Sequence, residues 1–422
     1  MPPLSLAFII SALLLTIFSR ILSRRQTASV LTHRDAVPVD FANSITLEDH
    51  RRAADYTIER EKLGRLESMA DLALTFAWVF GGINLLYGAI ASFIPPSLTR
   101  GVVFLLAVTM IGSVYALPFR LYKTFWLEQK FGFNRTSPAT FIADRLKSWL
   151  IALVVATPLL YGALWVMRSF SGLWWLWVWC GLLALMIVAP SVYVRFVAPR
   201  FNTFTPLAEG PLKTRIENLL QRCGFHASGL FSMDASRRSA HGNAYFIGFG
   251  DSKRIVLFDT LLTQSTTEEV EAIVAHELGH FRHKHILYGI VRSALVSLAM
   301  LAAFGWLTKQ AWLLPSFGVA YQDDALALFV CMLLASVVGP LIAPLGNWIS
   351  RRNEFEADAY ARQNVGAIPM ITALTKLARD NGSTLTPDPL YALVNYSHPP
   401  VPIRVRQLRQ DAAGEPQLAG AA

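Results

Sequence analysis

The chain has 422 residues and a formal net charge of +9, with 53% hydrophobic residues and only 16% charged ones. Soluble domains carry about 25% charged residues, so a wholly water-soluble protein is excluded, and the excess calls for several apolar runs of about 20 residues. The cations form no basic stripe interleaved with aromatics, which argues against nucleic acid and for loops beside an anionic membrane face.

Seven apolar segments are read, at about 4–22, 69–94, 101–119, 149–167, 173–198, 286–308 and 325–349. The first has no cation before it, whereas Arg20, Arg24 and Arg25 follow it. That is the reverse of a secretory signal, and an uncleaved anchor is expected. Cys180 and Cys331 lie inside apolar runs, and neither they nor Cys223 have a CxxC partner. No disulfide framework or thiolate metal site follows from them.

Charge sets the orientation. The link after the first segment carries Arg24, Arg25, Arg34, Arg51, Arg52, Arg60, Lys62 and Arg65, and the link after the third carries Lys123, Lys130, Arg135, Arg145 and Lys147. The connection after the fifth is also rich in Lys and Arg. The alternate links hold only Arg100 and Lys309 as cations. The positive-inside rule then puts the amino terminus outside and the carboxyl terminus in the cytoplasm.

Two polar blocks, 199–285 and 350–422, fall on the cytoplasmic side. In the first, Leu212, Ile216, Leu219 and Leu220 give Pro211–Cys223 a helical face. Asn243–Phe249 and Arg254–Phe258 read as strands joined at Gly250-Asp251-Ser252. Thr266 and Glu269 fit a capping box that opens the next helix. The tail from Asp411, rich in Ala, Gly and Gln, reads as disordered. The expected division is a membrane domain over 1–200, a second domain over 201–410 and a tail over 411–422.

The second block contains His276-Glu277-Leu278-Gly279-His280, an H-E-x-x-H on a predicted helix. Residues four apart share a helix face about 6 Å apart along the axis, so both imidazoles can reach one Zn²⁺. Glu277 points beside such a metal, where it can take a proton from an activated water. A chance H-E-x-x-H arises in on the order of one chain in a hundred, so context matters. Val270, Ile273 and Val274 make this helix amphipathic and packed, not a free surface helix with two solvated histidines. A catalytic zinc also needs a third protein ligand and an open position. Glu354 and Glu356, in E-F-E-A-D at 354–358, are equal candidates on spacing alone. Glu354 and Asp358 share a face, so one could bind metal while the other holds a histidine ring. The competing reading is a charged helix end leaving the membrane.

The sequence resembles the CAAX prenyl protease 1 family of integral-membrane zinc peptidases from about residue 40 to 410. The motifs are E-Q-K-F-G-F-N-R at 128–135, Asn243-Ala244-Tyr245-Phe246, the H-E-L-G-H at 276–280, the E-F-E-A-D at 354–358, and Ser397-His398-Pro399-Pro400 with Arg404. The resemblance implies a mostly α fold: seven membrane helices enclosing a chamber, with a cytoplasmic zincin-like domain containing a small β-sheet. It implies one zinc per chain, held by His276, His280 and Glu354, with Asp358 behind them. Asn243, Ala244 and Tyr245 become part of an edge strand that pairs with substrate backbone. His398 becomes an oxyanion stabiliser, and Arg404 orients acidic side chains or the substrate carboxylate. The competing reading of His398 and Arg404 is a structural Pro-rich turn.

Other histidines carry less. His283 reads as a polar helix-end residue rather than a spare ligand. His285 matches a histidine recurring in the family, without a defined role. His241 reads as structural or substrate-contacting, and His33, His50 and His226 have no identifiable partners. The expected activity is peptide hydrolysis with Glu277 as base, on a peptide or protein that is either prenylated or taken in membrane-protein quality control. The end Leu418–Ala422 carries no ER-retrieval signal, which points to a bacterial cytoplasmic membrane over the ER. The rival class is a seven-helix transporter or channel with a structural zinc. Glu277 speaks against it, because a structural zinc needs no carboxylate beside its first histidine and usually has four protein ligands. An inactive homologue acting as a chaperone is opposed by the intact motif.

Overall fold

The computed structural model describes residues 2–170, 172–247 and 254–413. Its main helices are α1 (Pro3–Thr32), α2 (Leu47–Ala91), α3 (Leu98–Glu128), α4 (Pro138–Ser169), α5 (Trp174–Arg200), α6 (Pro211–Arg222), α7 (Thr267–Arg282), α8 (His285–Leu307), α9 (Asp324–Val365), α10 (Ala367–Asp380), α11 (Pro389–Asn395) and α12 (Val401–Ala413). Among the described residues seven of them, α1 to α5, α8 and α9, are long and apolar enough to cross a membrane. They coincide with the seven expected segments. Side chains such as Leu150, Val154 and Leu295 are exposed along these helices, an apolar surface that suits lipid and not water. Inward, Trp78, Tyr87, Phe104 and Phe329 pack edge to face at 5.6–5.7 Å between centroids. A cavity of about 900 Å³ opens among α1, α2, α9 and α11, with Ser19, Asp71, Thr75 and Asn347 on its wall.

Several helices outrun the membrane. The 42 residues of α9 make a rod about 63 Å long, roughly twice the bilayer core. The Asp323 side chain caps its start by accepting from the Ala325 N–H at 2.9 Å, and Gly366, with φ +90°, ends it. Its last turns carry Glu354, Glu356 and Asp358 out into the polar domain. That domain gathers at one end of the bundle. Arg25 meets Asp388, Arg409 meets Asp40, and Arg238 meets Asp144. The opposite end is tied by Arg168 to Asp323 and Asp324.

A four-stranded sheet lies in the polar domain, formed by β1 (Phe204–Pro206), β2 (Gly229–Met233), β3 (Ala244–Ile247) and β4 (Arg254–Phe258), in the order β1-β2-β4-β3. The β2–β4 pair is parallel and the other two are antiparallel. This leaves β3 at an edge. Ile255 and Leu257 of β4 pack with Ile216 and Leu219 of α6 and with Val270, Val274 and Leu278 of α7. The expected turn at Gly250-Asp251-Ser252 lies outside the described residues, as does the tail from Gly414. The first positions of that expected tail, Asp411 to Ala413, belong to α12.

Candidate metal centre

The capping box predicted for α7 is present: Thr266 N–H donates to Glu269 at 2.8 Å and Glu269 N–H to the Thr266 hydroxyl at 3.3 Å. Lys376 of α10 also holds Glu269, at 3.0 Å. One face of α7 carries the apolar residues packed against the sheet. On another, His276 and His280 face the polar end of α9.

Three ligand atoms converge there. His276 Nε2 and His280 Nε2 are 3.3 Å apart. Glu354 Oε2 lies 3.5 Å from His276 Nε2, and Oε1 lies 3.3 Å from His280 Nε2. Bonds of about 2.0–2.1 Å in a tetrahedral set leave donor atoms about 3.3 Å apart, so these spacings fit a zinc-sized ion. Buried Glu354 Oε2 also makes no hydrogen bond, although Arg404 Nη1 is 3.3 Å away at poor angles. A buried carboxylate oxygen in that position suits a cation. Of the two glutamates that spacing left equal, Glu354 faces the histidines. Glu356 turns away to His285, at 3.0 Å.

Behind the cluster, Asp358 Oδ1 lies 2.9 Å from His276 Nδ1. Arg404 of α12, buried, grips Asp358 through Nε at 2.7 Å and Nη2 at 2.5 Å. Burial disfavours charge on His276, but its bonds to Asp358 and Glu354 outweigh it and push the pKa up to about 9. The carboxylates thus favour positive charge at His276. Glu277 is half-buried beside them, and burial raises its carboxyl above the ordinary range against the pull of His276 and His280.

His398 Nε2 stands 3.4 Å from Glu354 Oε1 on the open side of the cluster. Its Nδ1 is 2.9 Å from the Ser397 hydroxyl, which can donate to it in the tautomer that carries the proton on Nε2. Desolvation by the walls of the cleft lowers its pKa, although 64% of the side chain remains accessible. Asn243 is exposed just before β3, its carbonyl accepting from Phe258 N–H at 3.0 Å. Ala244 and Tyr245 pair with Leu257 and Val256. Phe246 anchors the strand to Phe281 of α7 at 5.2 Å between rings.

The 128–135 motif stitches this region together. Glu128 accepts from Tyr56 at 2.7 Å and lies 3.5 Å from His241, which stacks on Phe133 at 4.5 Å. His241 is also 3.2 Å from Asn381 Oδ1, so it braces the approach to β3. His283 turns away from the cluster, its Nδ1 4.0 Å from Glu356 and its ring edge-on to Tyr360 at 6.3 Å between centroids. His285 was without a role in the sequence, and its place beside His280 is the feature that sequence reasoning missed. The one available signal was its recurrence after the H-E-x-x-H. Buried His50 donates its Nε2–H to the His33 carbonyl at 2.9 Å.

An H-E-x-x-H helix set against a glutamate from a second helix, at one end of a membrane bundle, defines an integral-membrane metallopeptidase. Comparison with known proteins narrows the class. Residues 26–203 match the profile described as "CAAX prenyl protease N-terminal, five membrane helices", and residues 206–412 match peptidase family M48. The CAAX prenyl protease 1 homolog of Oryza sativa subsp. japonica is 36% identical over 307 residues, 72% of each chain. CAAX prenyl protease 1 of Saccharomyces cerevisiae is 34% identical over 331 residues, 74% of this chain and 72% of that one. The crystal structure of S. mikatae Ste24p superposes with a TM-score of 0.89 at 29% identity, covering 97% of this chain and 100% of that one. The chain belongs to the CAAX prenyl protease 1 family of M48 peptidases. That membership implies a metal ion, a peptide or protein substrate, and embedding in a membrane. It does not favour the transporter reading.

Proposed function

We propose that the chain is a zinc endopeptidase of CAAX prenyl protease type, removing the last three residues of prenylated proteins at the cytoplasmic face of its membrane. The observation that carries the zinc reading is the 3.3–3.5 Å spacing of His276 Nε2, His280 Nε2 and the Glu354 oxygens. One Zn²⁺ per chain, held by these three, would supply a Lewis acid and an activated water at neutral pH. Glu277 takes the water proton and passes it to the leaving amine. The raised carboxyl pKa from burial suits both halves of that task. His398 offers Nε2–H to the oxyanion. Asp358 holds His276 in the tautomer that frees Nε2, and Arg404 holds Asp358. The free edge of β3, with Asn243, Ala244 and Tyr245, takes the substrate backbone as an added strand.

The reading divides the chain into a membrane domain over 1–200, a peptidase domain over 201–410 whose α8 and α9 return through the bilayer, and a tail over 411–422. The cation-rich links support a cytoplasmic site and an outside amino terminus. The name shared by the relatives supports a prenylated substrate. Purified in detergent, the native chain is expected to hold one zinc and cleave peptide. Glu277→Gln should keep the zinc and lose cleavage. A farnesylated peptide should be cut faster than its unlipidated twin. Equal rates would favour general membrane-protein quality control, and no zinc in the native chain would refute the proposal.

A further inference from the structure

The two histidines of α7 are held differently. His276 gives its Nδ1 directly to Asp358. His280 Nδ1 instead lies 3.0 Å from Nδ1 of His285, and His285 Nε2 lies 3.0 Å from Glu356 Oε2. We infer that His285 and Glu356 are positioning residues for His280, fixing its tautomer and ring angle so that Nε2 stays free for the metal. This rests on His276, His280 and Glu354 being the zinc ligands.

The proton assignment follows from the end of the chain. A Glu356 carboxylate can only accept, so His285 carries its proton on Nε2. His285 Nδ1 is then a bare acceptor. His280 must donate Nδ1–H to it, which leaves the His280 Nε2 lone pair directed at the Glu354 side. The relay does for His280 what Asp358 does for His276, one residue further out. A carboxylate at its far end increases the basicity of the ligand imidazole.

The backbone is bent to build this contact. Lys284 is the one described residue other than glycine with positive φ, at 57°. It breaks the helix between α7 and α8, and His285 swings back beside His280. An unbranched continuation of α7 would need no such residue. His285 is buried while 48% of the Glu356 side chain remains accessible. His283 stacks on His285 at 5.5 Å between centroids and covers it from outside.

The test is zinc affinity of the full chain in detergent, measured by competition with a chromophoric chelator. His285→Ala should weaken zinc binding about 10–100-fold. Glu356→Ala should weaken it in the same direction by a smaller factor. His285→Gln, whose amide carbonyl can accept from His280, should recover part of the loss. The double variant His285→Ala/Glu356→Ala should be no worse than His285→Ala, because Glu356 acts through His285. Thermal unfolding of the zinc-free proteins reports whether each variant folds. If His285→Ala does not fold, Glu356→Ala and His285→Gln carry the test. Native zinc affinity in Glu356→Ala, or losses that multiply in the double variant, would overturn the relay while leaving the zinc site intact. A native chain that holds no zinc, and His276→Ala indistinguishable from it, would instead overturn the underlying proposal and the relay with it.

Discussion

Gly279 of α7 lies so close to Ala357 of α9 that a side-chain carbon added at Gly279 would fall 2.8 Å from the Ala357 Cα and 3.1 Å from its carbonyl oxygen. The two helices cross backbone to backbone at this point. Glu354 and Asp358 flank Ala357 on α9, and His276 and His280 flank Gly279 on α7. The crossing therefore sets the reach of all four side chains.

Gly279→Ala is expected to force the helices apart, since neither contact atom is the end of a flexible side chain. Overpacking of this kind costs about 1–3 kcal/mol. A displacement near 1 Å at a catalytic constellation costs about 10²-fold in rate. The variant should still fold and insert, with weakened zinc binding and kcat/KM lowered by about that factor. Zinc content and peptide cleavage on the same preparation check it. Native values for both would mean that the crossing tolerates a methyl group and does not set the geometry.

Arg404 separates two roles that its position after the Ser397-His398-Pro399-Pro400 motif left open. Its guanidinium is buried and bonded to Asp358, with Glu354 at 3.3 Å. Arg404→Met leaves two buried carboxylates without their cation, a change that costs about 3–5 kcal/mol. The melting temperature should fall sharply in chelator and less at saturating zinc, because the metal neutralises Glu354. Arg404→Lys keeps the charge but not the forked geometry, and should fall between. A rise in KM with unchanged melting would instead assign Arg404 to the substrate carboxylate.

Periodicity and charge asymmetry were enough for the seven spans and for the capped helix carrying His276 and His280, because both signals are local. The choice between Glu354 and Glu356 was not local. Two positions apart on a helix put them on nearly opposite faces, and the face that meets α7 depends on the Gly279–Ala357 contact. His285 was obscured for another reason. In an unbroken helix a residue five positions after His280 points about 140° away, and only the left-handed Lys284 turns it back. The brace of Glu128, His241 and Asn381 spans separations that no periodicity records.

His398 is expected to act in the chemical step and not in holding metal. Its side chain is open to the cleft, and its Nε2 lies 3.4 Å from a Glu354 oxygen. Loss of one oxyanion donor costs about 10²–10³ in kcat. His398→Ala should show that loss with zinc content and KM little changed, and His398→Gln, which keeps an N–H donor, should recover part of it. Release of zinc by His398→Ala would make it a support of the ligand set instead.

The loop bearing His398 is held from below by the first helix. Gln26 is fully buried, its side-chain carbonyl accepting from Asp388 N–H at 2.7 Å and its amide donating to the Tyr396 hydroxyl at 3.2 Å. Arg25 also pairs with Asp388, at 2.9 Å, but half its side chain is accessible, and such pairs contribute about 0–1 kcal/mol. Gln26→Leu would leave a buried N–H and hydroxyl unpaired, costing about 1–3 kcal/mol. Asn347 and Arg351 of α9 still hold Val394 and Tyr396 by their carbonyls, so the loop should loosen without detaching. The expected result is faster amide hydrogen exchange over 386–398 and a lower kcat, with zinc retained. Arg25→Ala should change both much less. Native exchange and kcat in Gln26→Leu would show that α9 alone positions the loop and that α1 contributes only its span of the membrane.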